Sequence, residues 1–233
     1  MVHFSELRHR LVKILLSFII AVIIVYVSSF WWMTLVISYI TRAHVTLHAF
    51  SFTEMIQIYV MIIFFIAFCL ISPIMFYQLW AFVAPGLHDN ERQFIYKYSL
   101  FSVLLFSFGV AFAFYIGFPM IIQFALKLSS TLNISPVIGF KAYLVELIRR
   151  LFTFGILFQL PILFVGLAKF GLIDIASLKH YRKYIYFSCF VLASIIAPPD
   201  ITLNILLTLP LILLFEFSMF IVKFTYRAEP PTH

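Results

Sequence analysis

The sequence predicts an all-α integral membrane protein with six transmembrane helices, both termini on the cytoplasmic side and a short final pair of helices. Three observations predict it. Of 233 residues, 64% are hydrophobic and 11% are charged, and the mean hydropathy is +1.10. No water-soluble fold of this size hides so much apolar surface. The charged residues cut the chain into six uncharged windows, and Lys and Arg are shared unequally between alternate loops. Thirty Phe and 12 Tyr suit helix surfaces that face acyl chains and headgroups. Residues 1–233 read as one polytopic domain without an internal repeat.

Ahead of the first window, Phe4, Leu7, Leu11 and Ile14 recur at helical spacing against His3, Glu6, Arg10 and Lys13. This predicts an amphipathic cytoplasmic segment over 1–13. Two readings of it stand: a topology anchor, or a recognition surface that includes Glu6 and Arg8. The windows are measured against the roughly 20 residues needed to cross hydrocarbon. They predict spans near 14–36, 56–79, 96–118, 150–168, 183–197 and 202–222. The first apolar run is too long for a signal-peptide core, so it reads as an uncleaved helix. The fifth window and the uncharged part of the sixth reach only about 22–24 Å at helical rise. That shortfall is met by a thinned bilayer, by a lateral partner or by screening from neighbouring helices.

Orientation follows from the loops. Arg8, Arg10, Lys13, Arg92, Lys97, Lys169, Lys179, Arg182, Lys183, Lys223 and Arg227 lie on one side, against Arg42, Lys127, Lys141, Arg149 and Arg150 on the other. The richer side is cytoplasmic by the positive-inside bias. The second loop, 80–95, opens on aromatic residues, turns at Pro85-Gly86 and ends in acids, where Asp89 or Asn90 can cap the next helix. The third loop, 119–149, is the sizeable outer segment, and Pro119, Pro136 and Gly139 predict an irregular cap.

The net charge of +7 is dispersed between hydrophobic blocks, so it marks topology and no nucleic-acid partner is expected. Cys69 and Cys189 sit in separate apolar stretches as inert thiols. No phosphate-cradling glycine loop, zinc-binding H-E-x-x-H or nucleophile elbow is present, so neither an enzyme, a cofactor nor a metal site is expected. Three polar groups stand where lipid makes them costly. Gln159, within the fourth span, needs a hydrogen-bond partner, which a neighbouring helix is expected to supply. Asp200, after Pro198-Pro199, suits an N-cap of the last helix. Glu216, near Lys223 and Arg227, is either ion-paired, snorkelling or a functional intramembrane acid. An ion-coupled secondary transporter using Asp200, Gln159 and Glu216 is the alternative function, against which stands the missing repeat symmetry.

Several segments together resemble the TatC family, the receptor subunit of the twin-arginine protein translocase. They are His3-Phe4-Ser5-Glu6-Leu7-Arg8, Ser72-Pro73, Tyr77-Gln78-Leu79-Trp80-Ala81-Phe82-Val83-Ala84-Pro85-Gly86-Leu87 with Glu91-Arg92, Phe158-Gln159-Leu160-Pro161, Ala197-Pro198-Pro199-Asp200 and Leu214-Phe215-Glu216. The resemblance implies a multi-pass protein of the bacterial cytoplasmic membrane. It also implies a role: binding the twin-arginine signal peptides of folded cargo, and assembling small single-span subunits of the TatA/TatB type into a pathway driven by proton-motive force, with several copies in the complex. By position, Glu6 and Glu91 are the signal-recognition acids, supported by Arg8, Gln78 and Phe82. A carboxylate takes a guanidinium through two parallel hydrogen bonds that an ammonium cannot reproduce, which suits discrimination of paired arginines from paired lysines. Gln159 departs from the glutamate frequent in the family and supplies no titrating charge. The first outer loop, 38–53, lacks the family's usual prolines.

Overall fold

The computed structural model describes residues 2–41, 47–83, 92–169, 180–196 and 200–226. The elements are α1 (Val2–Ile40), β1 (Leu47–His48), α2 (Phe52–Val83), α3 (Arg92–Phe112), a π-helical turn (Ala113–Gly117), α4 (Phe118–Thr131), β2 (Ile138–Gly139), α5 (Phe140–Leu157), α6 (Leu160–Lys169), α7 (Arg182–Ile196) and α8 (Ile201–Tyr226). Among the described residues, five helical runs are long and apolar enough to cross a membrane: Ser5–Ile40, Phe52–Phe82, Tyr96–Thr131, Phe140–Ala168 and Leu203–Ile221. At 15 residues α7 reaches about 22 Å, matching the short penultimate helix expected from its window.

The chain forms two compact units: residues 1–104 with 134–148, and residues 105–133 with 149–233. In the first, α1 and α2 lie antiparallel, since Arg10 meets Gln78, Phe18 meets Phe64 and Tyr26 meets Tyr59. Ala21, Val25, Ile58, Ile62 and Ala67 are buried along these helices, where removing apolar area from solvent contributes about 25 cal/mol per Å². Ser29 satisfies its hydroxyl against Tyr26 O at 2.6 Å and the Tyr59 hydroxyl. At the far end of this pair, β1 and β2 run parallel, with Leu47 opposite Ile138 and His48 opposite Gly139.

In the second unit, close approach depends on glycine. A Cβ on Gly109 would lie 2.6 Å from Phe154 O and 2.9 Å from Phe158 Cβ, so only a residue without a side chain lets α3 touch α5 there. Phe112 packs on Phe154 and Phe158 at ring separations of 5.3 and 5.7 Å. The last helix packs on both predecessors, with Phe215 against Phe164 and Tyr186 at 5.6 and 6.0 Å.

Several boundaries correct the sequence reading. The amphipathic start is no separate helix: α1 runs unbroken for 39 residues, about 58 Å. α2 likewise continues through Val83, so the front of the expected 80–95 loop is helical. The outer segment 119–149 is mostly helix: Pro119 follows the π-helical turn Ala113–Gly117, which resets the hydrogen-bond ladder, and the run from α3 continues through it to Thr131. Irregular chain is confined to 132–137, entered through Asn133 at φ 56, whose N–H returns to Ser130 O at 3.2 Å. The fourth span is split. Gln159 N turns to Ile156 O and Pro161 has no N–H to give, so α5 and α6 are separated by a turn at 158–159. The last helix is 26 residues long, longer than its uncharged window, because Glu216 is accommodated within it.

Candidate functional site

The start of α1 and the end of α2 meet at one end of the antiparallel pair and bring charged and polar groups together there. Glu6 precedes Arg10 by four residues, the favourable order for an intrahelical acid–base pair. Arg10 Nη2 and Nε donate to Glu6 Oε1 at 2.7 and 3.1 Å. Its third nitrogen, Nη1, donates to Gln78 Oε1 at 3.2 Å, a contact across 68 residues. The Glu6 side chain keeps 34% of its surface exposed and Arg10 keeps 23%, so the cluster is wet on one side. Both Arg10 bonds land on one carboxylate oxygen, and Oε2 accepts from no described residue.

Neighbouring aromatic contacts fix the helix that carries Gln78. Buried Trp80 donates its indole N–H to Ser102 Oγ at 2.8 Å and packs on Tyr98 at 5.3 Å. Tyr77 packs on Tyr96 at 5.4 Å. These contacts staple the last turn of α2 to the first turns of α3, so Gln78 is presented from a rigid element. Arg8 is exposed on α1 and Phe82 is half-buried on α2. Glu91 lies outside the described residues. Of the five residues expected to bind signal peptide, the structure joins Glu6 and Gln78, through an arginine the sequence reading had assigned only to the polar face of a surface helix. The four-residue spacing to Glu6 was the available signal for Arg10; nothing in the sequence links it to Gln78.

The remaining polar residues belong to the second unit and have separate partners. Gln159, in the turn between α5 and α6, donates its amide to Gly155 O near the end of α5 at 3.4 Å, a local contact where one to a neighbouring helix was expected. Asp200 is an N-cap: Oδ1 accepts from Leu203 N at 2.9 Å while its carbonyl accepts from Asn204 N. Glu216 pairs with Arg182 Nη2 at 2.8 Å and accepts the Tyr186 hydroxyl, both from α7. Of the cations suggested by sequence, Lys223 is not the partner seen and Arg227 lies outside the described residues.

Comparison with known proteins bears on what the arrangement does. A family model described as Sec-independent protein translocase protein (TatC) matches residues 2–210. The chain is 36% identical over 229 residues to Sec-independent protein translocase protein TatCy of Bacillus subtilis (strain 168), covering 97% of this chain and 89% of that protein. It is 38% identical to the TatC protein of Halalkalibacterium halodurans, with the same coverage of each. It also superposes on the crystal structure of a twin-arginine translocase receptor, TatC, in DDM, with a TM-score of 0.76 and 33% identity over 94% of this chain and 98% of that one.

Proposed function

The chain belongs to the TatC family of Sec-independent protein translocase proteins, and from that membership we propose that the start of α1 and the end of α2 receive the twin-arginine signal peptides of folded cargo. It is a multi-pass membrane protein and a non-enzymatic component of protein translocation. The observation that carries the proposal is the Glu6 carboxylate, which already grips a guanidinium beside Gln78 while a third of its surface stays open. On this reading Glu6 and Glu91 take the signal arginines, with Arg8, Gln78 and Phe82 around them, and the site faces the cytoplasm with both termini. The membrane is the bacterial cytoplasmic membrane, and transport draws on proton-motive force.

The test is binding of an Arg-Arg signal peptide and its Lys-Lys twin to the protein in nanodiscs. Charge-assisted hydrogen bonds contribute about 1.5–3 kcal/mol each, and about 1.4 kcal/mol is tenfold in affinity. The Arg-Arg peptide is therefore expected to bind about tenfold tighter than its twin, and Glu6→Gln to weaken it by a similar factor. Equal binding of both peptides, or no response to Glu6→Gln, overturns the reading.

The second unit supports the other half of the role. We propose that small single-span subunits dock along α7 and α8, where α7 is short and Asp200 and Glu216 interrupt the apolar surroundings, with Gln159 a further polar group of the same unit. Several copies of the chain then gather in one complex. Photo-crosslinkers placed along α7 and α8 are expected to capture the single-span subunits; uniform failure at both helices removes the proposal.

A further inference from the structure

We infer that Arg10 is a resident occupant of the signal-arginine site, an internal guanidinium that an incoming one must displace from Glu6. The inference rests on the proposed role of Glu6 and adds to it a residue that sets the affinity. Arg10 presents to the Glu6 carboxylate the same chemical group that a signal arginine would present, at 2.7 and 3.1 Å. While that contact stands, the acid is neutralised, and a cationic peptide meets a carboxylate whose charge is already matched. The resident contact is also incomplete. Both nitrogens converge on Oε1, whereas an arginine approaching head-on can use both oxygens in parallel, the stronger geometry.

Gln78 makes the exchange feasible. Its amide oxygen already accepts Arg10 Nη1 from α2, so Arg10 released from Glu6 keeps a neutral partner within reach. The pair is partly exposed, and a contact of that kind is individually weak and readily exchanged. A tight buried pair at the same place would block the site instead of metering it.

A competitor lowers every ligand's apparent affinity by the fraction of time the site is open, so it does so equally for related ligands. With the full-length protein in nanodiscs, Arg10→Gln is therefore expected to tighten binding of the Arg-Arg peptide about threefold, and of the Lys-Lys peptide by the same factor. Arg10→Lys keeps the charge but cannot hold Glu6 and Gln78 through separate nitrogens of a planar group. It is expected to tighten binding in the same direction and by less, whereas a mere long-range charge effect predicts no change. In a Glu6→Gln background, Arg10→Gln is expected to give no gain, because the competed contact is gone. Weaker or unchanged binding by both Arg10 variants overturns the inference, as does an equal gain with and without Glu6. If Glu6→Gln alone fails to weaken the Arg-Arg peptide, the site reading fails first, whatever Arg10 does. Should Arg10→Gln not fold, the Arg10→Lys result decides by itself.

Discussion

The two ends of the α1–α2 pair each carry an acid, and the two acids are held in opposite ways. Glu6, at the start of α1, meets side chains: an arginine one turn on and, through it, the glutamine at position 78. Glu54, in the first turn of α2, meets the main chain. Its Oε2 accepts from Phe50 N at 2.7 Å and its Oε1 from Lys141 N at 3.2 Å, and it is 8% exposed. Ser51 Oγ caps Thr53 N beside it, so Glu54 reaches back over the helix start in the manner of a capping box while also seizing the first turn of α5, 87 residues away. Backbone donors cannot swing aside, and a buried carboxylate that satisfies two of them is committed to the fold. Side-chain donors can rotate away, and an acid left a third exposed can change partners. Partner type and burial, and not the presence of a carboxylate, separate an architectural acid from a recognition acid.

That contrast is broken most directly at Glu54. Glu54→Ala leaves two backbone N–H groups without their acceptor, each costing about 1–3 kcal/mol when fully buried; both bonds are only partly buried, so a loss in the lower half of the summed range, about 2–4 kcal/mol, is expected. It is read as a fall in Tm of the detergent-solubilised protein. Glu54→Gln keeps one acceptor oxygen and is expected to lose roughly half as much. Signal-peptide affinity should hold, because the substitution lies at the opposite end of the helix pair. A Glu54→Ala protein as stable as its parent would show that the clasp between Phe50 and Lys141 carries no weight, and the distinction between the two acids would go with it.

The contrast also explains what the sequence revealed. Apolar windows exposed the long helices, since the need to cover backbone polar groups in lipid makes span length legible without any partner. They misjudged where helices stop, because polar helix ends are decided by groups from elsewhere in the chain. The helical run persists past Pro119 since that residue follows a π-helical turn, a local shift of the ladder that the sequence does not announce. Glu54 carried no signal in the sequence, since its distant partner is a main-chain N–H, which has no side-chain identity to betray it. Glu6 and Arg10 were legible as members of one polar helix face, while Gln78 became part of their cluster only through antiparallel packing. Glu216 drew attention to cations that follow it, yet its partner Arg182 precedes it by 34 residues on the adjoining helix. Local chemistry was readable, and long-range pairing was not.

Asp200 sharpens the comparison at its weaker end, because it too accepts a backbone N–H but only from its own helix. Its Oδ1 takes Leu203 N at 2.9 Å, satisfying one of the donors that the first turn of α8 leaves unpaired. It is half-buried and, among the described residues, its side chain bonds only within its own helix, so it should matter less than Glu54. Asp200→Ala is expected to lower stability by about 1 kcal/mol, the usual worth of such a cap, seen as a modest drop in Tm. Asp200→Asn preserves a capping oxygen and removes the charge, so its stability is expected to match the parent. Single-span subunit capture by the Asn variant then separates two roles at one residue. Retained capture assigns Asp200 to the helix start alone, and lost capture at parental stability assigns its charge to the partner.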